Sequence, residues 1–192
     1  VVTGLLIGIL IGPYGSLPFI LSACLISSAT KQIVRFGSRH IFNPAVIGLV
    51  GASILTGESA AWWGTNGGIV TVLLVSIWMT VILFSINRIW MPIVFLGLYF
   101  SYLFLFQQFD AAINLWDGSI ILFAFVMLPE PMTAPGRGYW QFLWGALVYG
   151  LIIVVGYLKI AFIDPLLLAL ALANIVGFVS TRLIPSVRTA SH

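Results

Sequence analysis

Residues 68–86 read GIVTVLLVSIWMTVILFSI, an apolar run that contains no charged residue. A helix needs about 20 consecutive apolar residues to span a bilayer, and this run nearly reaches that length. The loop 87–89 carries Arg88, and a second apolar run follows at 90–107. The pair predicts two neighbouring helices that cross a membrane in opposite directions.

Further apolar segments surround this pair, so the chain is predicted to be one helical membrane domain. Hydrophobic residues make up 61% of the 192 residues and charged residues 7%, whereas a soluble domain is about a quarter charged. Residues 1–192 are therefore assigned to a single all-α integral membrane domain of about seven or eight membrane segments, three or four of them long enough to span unaided. The predicted segments are 1–12, 16–30, 42–56, 68–86, 90–107, 117–129, 139–158 and 164–183.

Positive charge follows the alternation of these segments. All Lys and Arg residues except Lys159 fall in loops on one predicted side: Lys31, Arg35, Arg39, Arg88, Arg137, Arg182 and Arg188. Because positive loops stay in the cytoplasm during insertion, a multi-pass protein of the inner (plasma) membrane with both termini cytoplasmic is expected. The basic residues form no contiguous stripe, which argues against a nucleic-acid partner.

The chain offers few ligands for a metal ion. Cys24 is the only cysteine, and His40 and His192 are far apart in sequence, so neither a disulfide framework nor a protein-ligated metal is expected. The sequence begins at Val1 inside an apolar segment, which is expected of a fragment of a longer chain.

Two segments are both short and bounded by proline. Segment 42–56 opens with FNPA at 42–45, and segment 117–129 ends in LPEPMTAP at 128–135. Short, proline-interrupted segments are the best sequence indication of a site inside a membrane protein. Irregular backbone at membrane depth must be buried in protein or line a polar cavity. The two interruptions are therefore predicted to meet and to enclose a polar site.

The first interruption allows two interpretations. Asn43 is a favourable N-cap and Pro44 a favourable first helical residue, so a helix begins there. Its free amide hydrogens and partial positive charge can hold an anion or an electron-rich ring. The alternative is a helix start and nothing more, as the similar pair Asp164-Pro165 illustrates.

The second interruption, at 128–135, also allows two interpretations. Its three prolines stiffen a loop that presents Glu130 and Thr133 to a ligand, or that only redirects the chain while Glu130 is solvated or pairs with Arg137. Asn174 lies in the middle of segment 164–183, where an interhelical hydrogen bond is expected.

The stretch RHIFNPAVIGL at 39–49 resembles the FNPA-x-x-G signature of the NqrB/RnfD family. These proteins are membrane subunits of the sodium-pumping NADH:quinone reductase and of the Rnf ferredoxin:NAD complex. DG at 117–118, PEPMTAP at 129–135, GRG at 136–138 and GAL at 145–147 are similar to the family's later motifs in order and spacing. The resemblance covers most of the chain from about residue 30. It implies inverted repeats of broken helices, a plan shared with urea and ammonium channels, and a bound flavin.

A covalent flavin is not implied. Family members link it to a threonine in a D-x-x-S/T-G/S-A-T motif, but here SSAT at 27–30 follows Cys24 in place of the aspartate and precedes FNPA. The loop at 57–67, where the motif belongs, is short. The resemblance therefore implies a noncovalent flavin (FMN or riboflavin) or a quinone. The site for it would be formed by Asn43, Pro44, Glu130, Pro131 and Thr133.

The leading hypothesis is a membrane electron-transfer subunit or domain that passes electrons between a redox partner and a membrane acceptor. The partner is a separate subunit or a fused reductase domain, and no residue of the chain is assigned a catalytic role. The alternatives are a passive channel for a small neutral solute and a membrane anchor for a flavoprotein reductase.

Overall fold

A computed structural model describes residues 2–36, 39–65, 67–106, 118–134 and 138–183. Within these ranges the regular secondary structure is helical except for one short antiparallel pair of strands, β1 (Arg35–Phe36) with β2 (Arg39–His40), called the β-hairpin below. A 3-10 turn lies at Trp63–Thr65, and α6 continues as a π-helical turn at Phe123–Met127. The helices are α1 (Val2–Leu10), α2 (Leu17–Ile33), α3 (Pro44–Thr56), α4 (Gly68–Ser85), α5 (Trp90–Leu105), α6 (Ser119–Leu122), α7 (Trp140–Leu158) and α8 (Pro165–Leu183).

Each predicted apolar segment contains one of these helices, and the predicted all-helical class is confirmed. The boundaries agree best where a capping residue marks them. Segment 164–183 becomes α8, because the Asp164 carboxylate accepts hydrogen bonds from the amides of Leu166 (2.8 Å) and Leu167 (3.1 Å). The main departure is α2, which continues past the predicted end at residue 30 because Lys31 and Gln32 are good helix formers.

The core is formed by α1, α2, α3, α5, α6, α7 and α8, and α2 packs along α3. The approach of α2 to α3 depends on Gly48, since a Cβ there would lie 2.6 Å from the Ala23 carbonyl oxygen. Any larger residue would separate the two helices or distort one of them. The fully buried core side chains include Leu49, Phe95, Phe123, Val148 and Leu170.

The loops lie at the two ends of the helical bundle. The end that contains Asp164 is called the Asp164 end, and the end that contains Glu130 is called the Glu130 end. At the Asp164 end, the Trp62 indole Nε1 donates to Asp164 Oδ2 at 2.7 Å. At the Glu130 end, the Gln141 Nε2 donates to the Asn87 carbonyl oxygen at 2.7 Å. The first contact joins the loop before the 3-10 turn to the residue that caps α8, and the second joins the first turn of α7 to the loop between α4 and α5. Helix α3 begins at the Glu130 end, whereas α8 begins at the Asp164 end.

Helix α4 exposes apolar side chains around most of its circumference. Trp78 is 68% exposed, and Ile77 and Val81 are also exposed, whereas Val72 and Leu83 are buried. By length and composition, α4 and α7 are the helices of the described chain that are able to cross a membrane. The sequence predicted three or four such helices. One reason for the difference is that α5 ends at Leu105 and has only 16 residues.

Candidate functional site

The two proline-bounded interruptions meet at the Glu130 end. Asn43 precedes α3, and the turn 129–134 follows the π-helical end of α6. The Thr133 hydroxyl donates a hydrogen bond to Glu130 Oε2 at 3.1 Å, and the Asn43 amide lies near enough to act on the same carboxyl. Asn43, Glu130 and Thr133 are called the polar cluster below.

Asn43 caps the N-terminus of α3 with its side-chain oxygen, while its side-chain nitrogen makes no hydrogen bond of ordinary geometry with the described residues. Its Oδ1 accepts hydrogen bonds from the backbone amides of Ala45 at 3.0 Å and Val46 at 3.3 Å. The residue is only 2% exposed, yet its Nδ2 has no partner within ordinary hydrogen-bond geometry among the described residues. An unsatisfied buried donor costs about 1–3 kcal/mol. The Nδ2 group lies near the Glu130 carboxyl, whose pKa it lowers, without forming a hydrogen bond of ordinary geometry.

The turn that carries Glu130 begins with a change of helix type. The Leu128 amide donates to the Phe123 carbonyl oxygen at 2.9 Å, across five residues instead of four. Such π-helical turns recur at functional sites. Pro129 prevents the helix from continuing, and the Ala134 amide donates to the Glu130 carbonyl oxygen at 3.0 Å to close the turn.

Burial raises the pKa of the Glu130 carboxyl above its usual range. The hydrogen bond from the Thr133 hydroxyl and the nearby Asn43 amide offset part of this rise. A carboxyl with a raised pKa keeps its proton to a higher pH, so Glu130 is able to donate as well as accept a hydrogen bond.

Two side chains that the sequence did not single out hold this turn in place. The Arg88 Nη1 donates to the Pro129 carbonyl oxygen at 3.4 Å, and the Trp144 Nε1 donates to the Leu128 carbonyl oxygen at 3.1 Å. Arg88 is only 7% exposed. The sequence treated Arg88 as a loop charge, although its position directly after a long apolar run was a signal that it is buried against protein.

The predicted site residues do not all occupy equivalent positions. Pro44 is buried as the first residue of α3, while Glu130 and Thr133 are half-buried. Pro131 lies in the same turn and is exposed. The predicted partner Arg137 lies outside the described residues.

Helix α8 closes the site from a third direction. A Cβ at Gly177 would lie 3.6 Å from the Thr133 carbonyl oxygen and 2.9 Å from the Trp144 ring. Asn174, one turn before Gly177, is fully buried. Neither of its amide atoms has a hydrogen-bond partner among the described residues, so the expected interhelical hydrogen bond is not formed.

The arrangement suits a neutral or anionic polar ligand with an apolar body. It offers an unpaired amide donor, the first turn of a helix with its partial positive charge, and a carboxyl that is able to carry a proton. A flavin ring has this character, since carbonyl and ring nitrogen groups lie along one edge of a flat apolar system. Among the described residues, no three His, Cys, Asp or Glu side chains lie close enough together to hold a metal ion.

No protein-family model matches the chain, and neither a curated protein nor a solved structure is similar to it. The resemblance to NqrB/RnfD therefore depends on the FNPA and PEPMTAP motifs, and it stays a prediction.

Proposed function

We propose that the chain is a multi-pass membrane domain of NqrB/RnfD type that holds a flavin noncovalently and passes electrons between a redox partner and a membrane acceptor. The observation that supports this most strongly is the polar cluster. There the N-terminus of α3, with its unpaired Asn43 donor, faces the half-buried Glu130 carboxyl. Both come from the segments that carry the family resemblance.

The membrane environment is supported by α4. Soluble proteins rarely expose large contiguous apolar patches, and a helix that is apolar all round is covered by protein or lipid. Trp78 and its neighbours on α4 have no protein cover within the described chain. In a bilayer these side chains contact acyl chains, and the urea-channel-like plan of short helices is completed by α3 and α6.

In this proposal each residue of the polar cluster contacts the bound flavin. A bound flavin would supply the redox chemistry by accepting and releasing electrons. Asn43 donates from Nδ2 to a ring carbonyl, and the first turn of α3 favours negative charge on the ring. Glu130 and Thr133 bind other polar atoms and orient the ring, while the surrounding core excludes water.

The Glu130 end faces the cytoplasm in this proposal, with both termini on that side. Lys31 and Arg35 are exposed there, next to the β-hairpin. Burial and these two charges lower the pKa of His40, so His40 adds little charge of its own near neutral pH. The positive surface suits an acidic face on a redox partner subunit or a fused reductase domain.

The test is to purify the protein in detergent, record its visible absorbance spectrum and identify any extracted cofactor. We expect the spectrum of an oxidised flavin at a stoichiometric level, bleached by dithionite and released by denaturation, because no covalent link is proposed. A colourless protein that yields neither flavin nor quinone on extraction would refute the proposal. Extraction of a quinone alone would assign the site to a quinone instead.

A passive channel for a small neutral solute is the second candidate. It is favoured by the buried side-chain amides of Asn43, Gln141 and Asn174, each of which has at least one polar atom without a partner in the described chain. Amides of this kind bind neutral solutes that hydrogen-bond. This function predicts solute flux into liposomes that contain a colourless protein, whereas the flavin proposal predicts a coloured protein without such flux.

A further inference from the structure

Asn174 is the most unusual buried polar residue of the described chain. It is fully inaccessible, and neither Oδ1 nor Nδ2 has a hydrogen-bond partner. Buried side-chain amides are nearly always satisfied, because each unmade hydrogen bond is costly. Leucine, alanine or glycine occupies the other buried positions of α8, so packing alone does not explain an asparagine here. Both polar atoms of the amide can therefore bind a group that is not among the described residues.

The position of Asn174 relates it to the polar cluster. Gly177 lies one turn further along α8 and closely approaches the Thr133 carbonyl oxygen. Residues three apart on a helix share a face and are separated by about 4.5 Å along its axis. Asn174 is therefore one turn deeper in the bundle than the turn that carries Glu130. Helix α3, which begins after Asn43, also packs against α8.

We propose that Asn174 is the deep recognition residue of the same site, and that it binds a ligand edge with a carbonyl acceptor next to an N–H donor. A primary amide satisfies such an edge with two parallel hydrogen bonds, from Nδ2 to the carbonyl and from the N–H to Oδ1. This inference rests on the proposed flavin function, because the pyrimidine ring of a flavin presents this edge at its C4 carbonyl and N3–H.

These two parallel hydrogen bonds explain why the position holds an amide, since a hydroxyl could not make both. One serine hydroxyl has a single rotating hydrogen, whereas an amide places a donor and an acceptor side by side in one plane. The other polar groups of the site contact the rest of the ligand. Asn43, Glu130 and Thr133 lie nearer to the bundle end, where the rest of the ligand enters.

The experiment compares riboflavin with 3-methylriboflavin, in which a methyl group replaces the N3 hydrogen. Both are titrated into flavin-depleted protein in detergent, followed by quenching of flavin fluorescence. Wild type is expected to bind the methylated compound roughly ten- to a hundred-fold more weakly, the effect of an unmade buried hydrogen bond. Asn174→Leu, which keeps the size, should weaken riboflavin by a similar factor and bind both compounds equally. Leu172→Met, on the exposed side of α8, is the matched control and should behave as wild type.

The outcomes separate this inference from the proposed function. If wild type binds riboflavin but does not discriminate against 3-methylriboflavin, or if Asn174→Leu discriminates as wild type does, the role of Asn174 is refuted and the flavin site stands. If wild type binds neither compound, both proposals fall. The wild-type comparison requires no variant, so it decides the matter even if Asn174→Leu does not fold. Asn174→Asp, which keeps the acceptor and removes the amide donor, should also lose affinity for riboflavin.

Discussion

Asp164 and Glu130 are half-buried carboxyls beside helix N-termini at opposite ends of the bundle, and their partners differ. Asp164 accepts three hydrogen bonds, two from the first turn of α8 and one from the Trp62 indole. Glu130 accepts one from Thr133 and lies beside the helix that Asn43 already caps. The pKa of both carboxyls is raised by burial.

The comparison distinguishes an end whose polar groups are paired from an end that keeps polar groups without hydrogen bonds in the described chain. At the Asp164 end, the carboxylate, the helix amides and the indole satisfy one another. At the Glu130 end, Asn43 retains an unpaired Nδ2, and Asn174 adds two unpaired atoms one turn deeper. Unpaired buried groups persist only where another gain offsets their cost, and ligand binding is such a gain.

The largest effect is expected for Asp164→Ala. The change removes the cap of α8, worth about 1 kcal/mol, and leaves the Trp62 donor unsatisfied, which costs about 1–3 kcal/mol more. Thermal unfolding in detergent, followed by the helical circular dichroism signal, should show a large loss of stability. The flavin content of the protein that remains folded should not change.

Adding Trp62→Phe to Asp164→Ala provides the control, since it removes the stranded indole N–H. The double variant should lose less stability than the sum of the two single variants. Additive losses, or loss of flavin from folded Asp164→Ala protein, would show that the Asp164 end is not merely a structural cap.

Asn43→Ser is expected to destabilise the fold less than Asp164→Ala does and to weaken flavin binding. Serine is also a good N-cap, so the start of α3 should be kept within about 1 kcal/mol. The serine lacks the amide donor, and flavin affinity should fall by the equivalent of about 1–3 kcal/mol. Parallel measurements of unfolding and of flavin titration check this. Equal losses in stability and affinity would indicate that Asn43 acts only through the helix.

The smallest effect concerns the pH dependence of stability. Because burial raises the pKa of Glu130, the folded state holds a proton that the unfolded state has released once the pH exceeds the usual glutamate pKa. The free energy of unfolding should therefore fall as pH rises through this window, by at most about 1.4 kcal/mol per pH unit for this group.

Glu130→Gln keeps the shape and the Thr133 hydrogen bond but does not titrate. It should flatten that part of the pH profile and leave the slope that Asp164 contributes, whose pKa is also raised. A profile identical to that of wild type would show that Glu130 ionises as an ordinary exposed carboxyl.

The sequence predicted the helices well because their ends are marked by local chemistry. Asn43-Pro44 and Asp164-Pro165 start helices for reasons contained in a few residues, and apolar runs determine the rest. The approach of the FNPA and PEPMTAP segments was also predicted, from the rule that irregular backbone needs protein around it. The flavin and the membrane topology stay predictions.

Other parts of the site depend on contacts between distant segments and were missed. Trp144 lies one helix away from the turn it holds, and nothing in its own neighbourhood indicates that its indole reaches the Leu128 carbonyl. Asn174 was expected to bond to another helix, because sequence gives the position of an amide but not the polarity of what faces it. In the described structure its neighbours offer it no partner.

The most direct test of the difference between the two ends is a side-by-side flavin titration of Asn43→Ser and Asp164→Asn, two variants that each keep a helix-capping side chain. We expect riboflavin affinity to drop roughly ten- to a hundred-fold in Asn43→Ser and to stay at the wild-type value in Asp164→Asn. Equal affinity in both variants, or a loss confined to Asp164→Asn, would contradict a binding site at the Glu130 end.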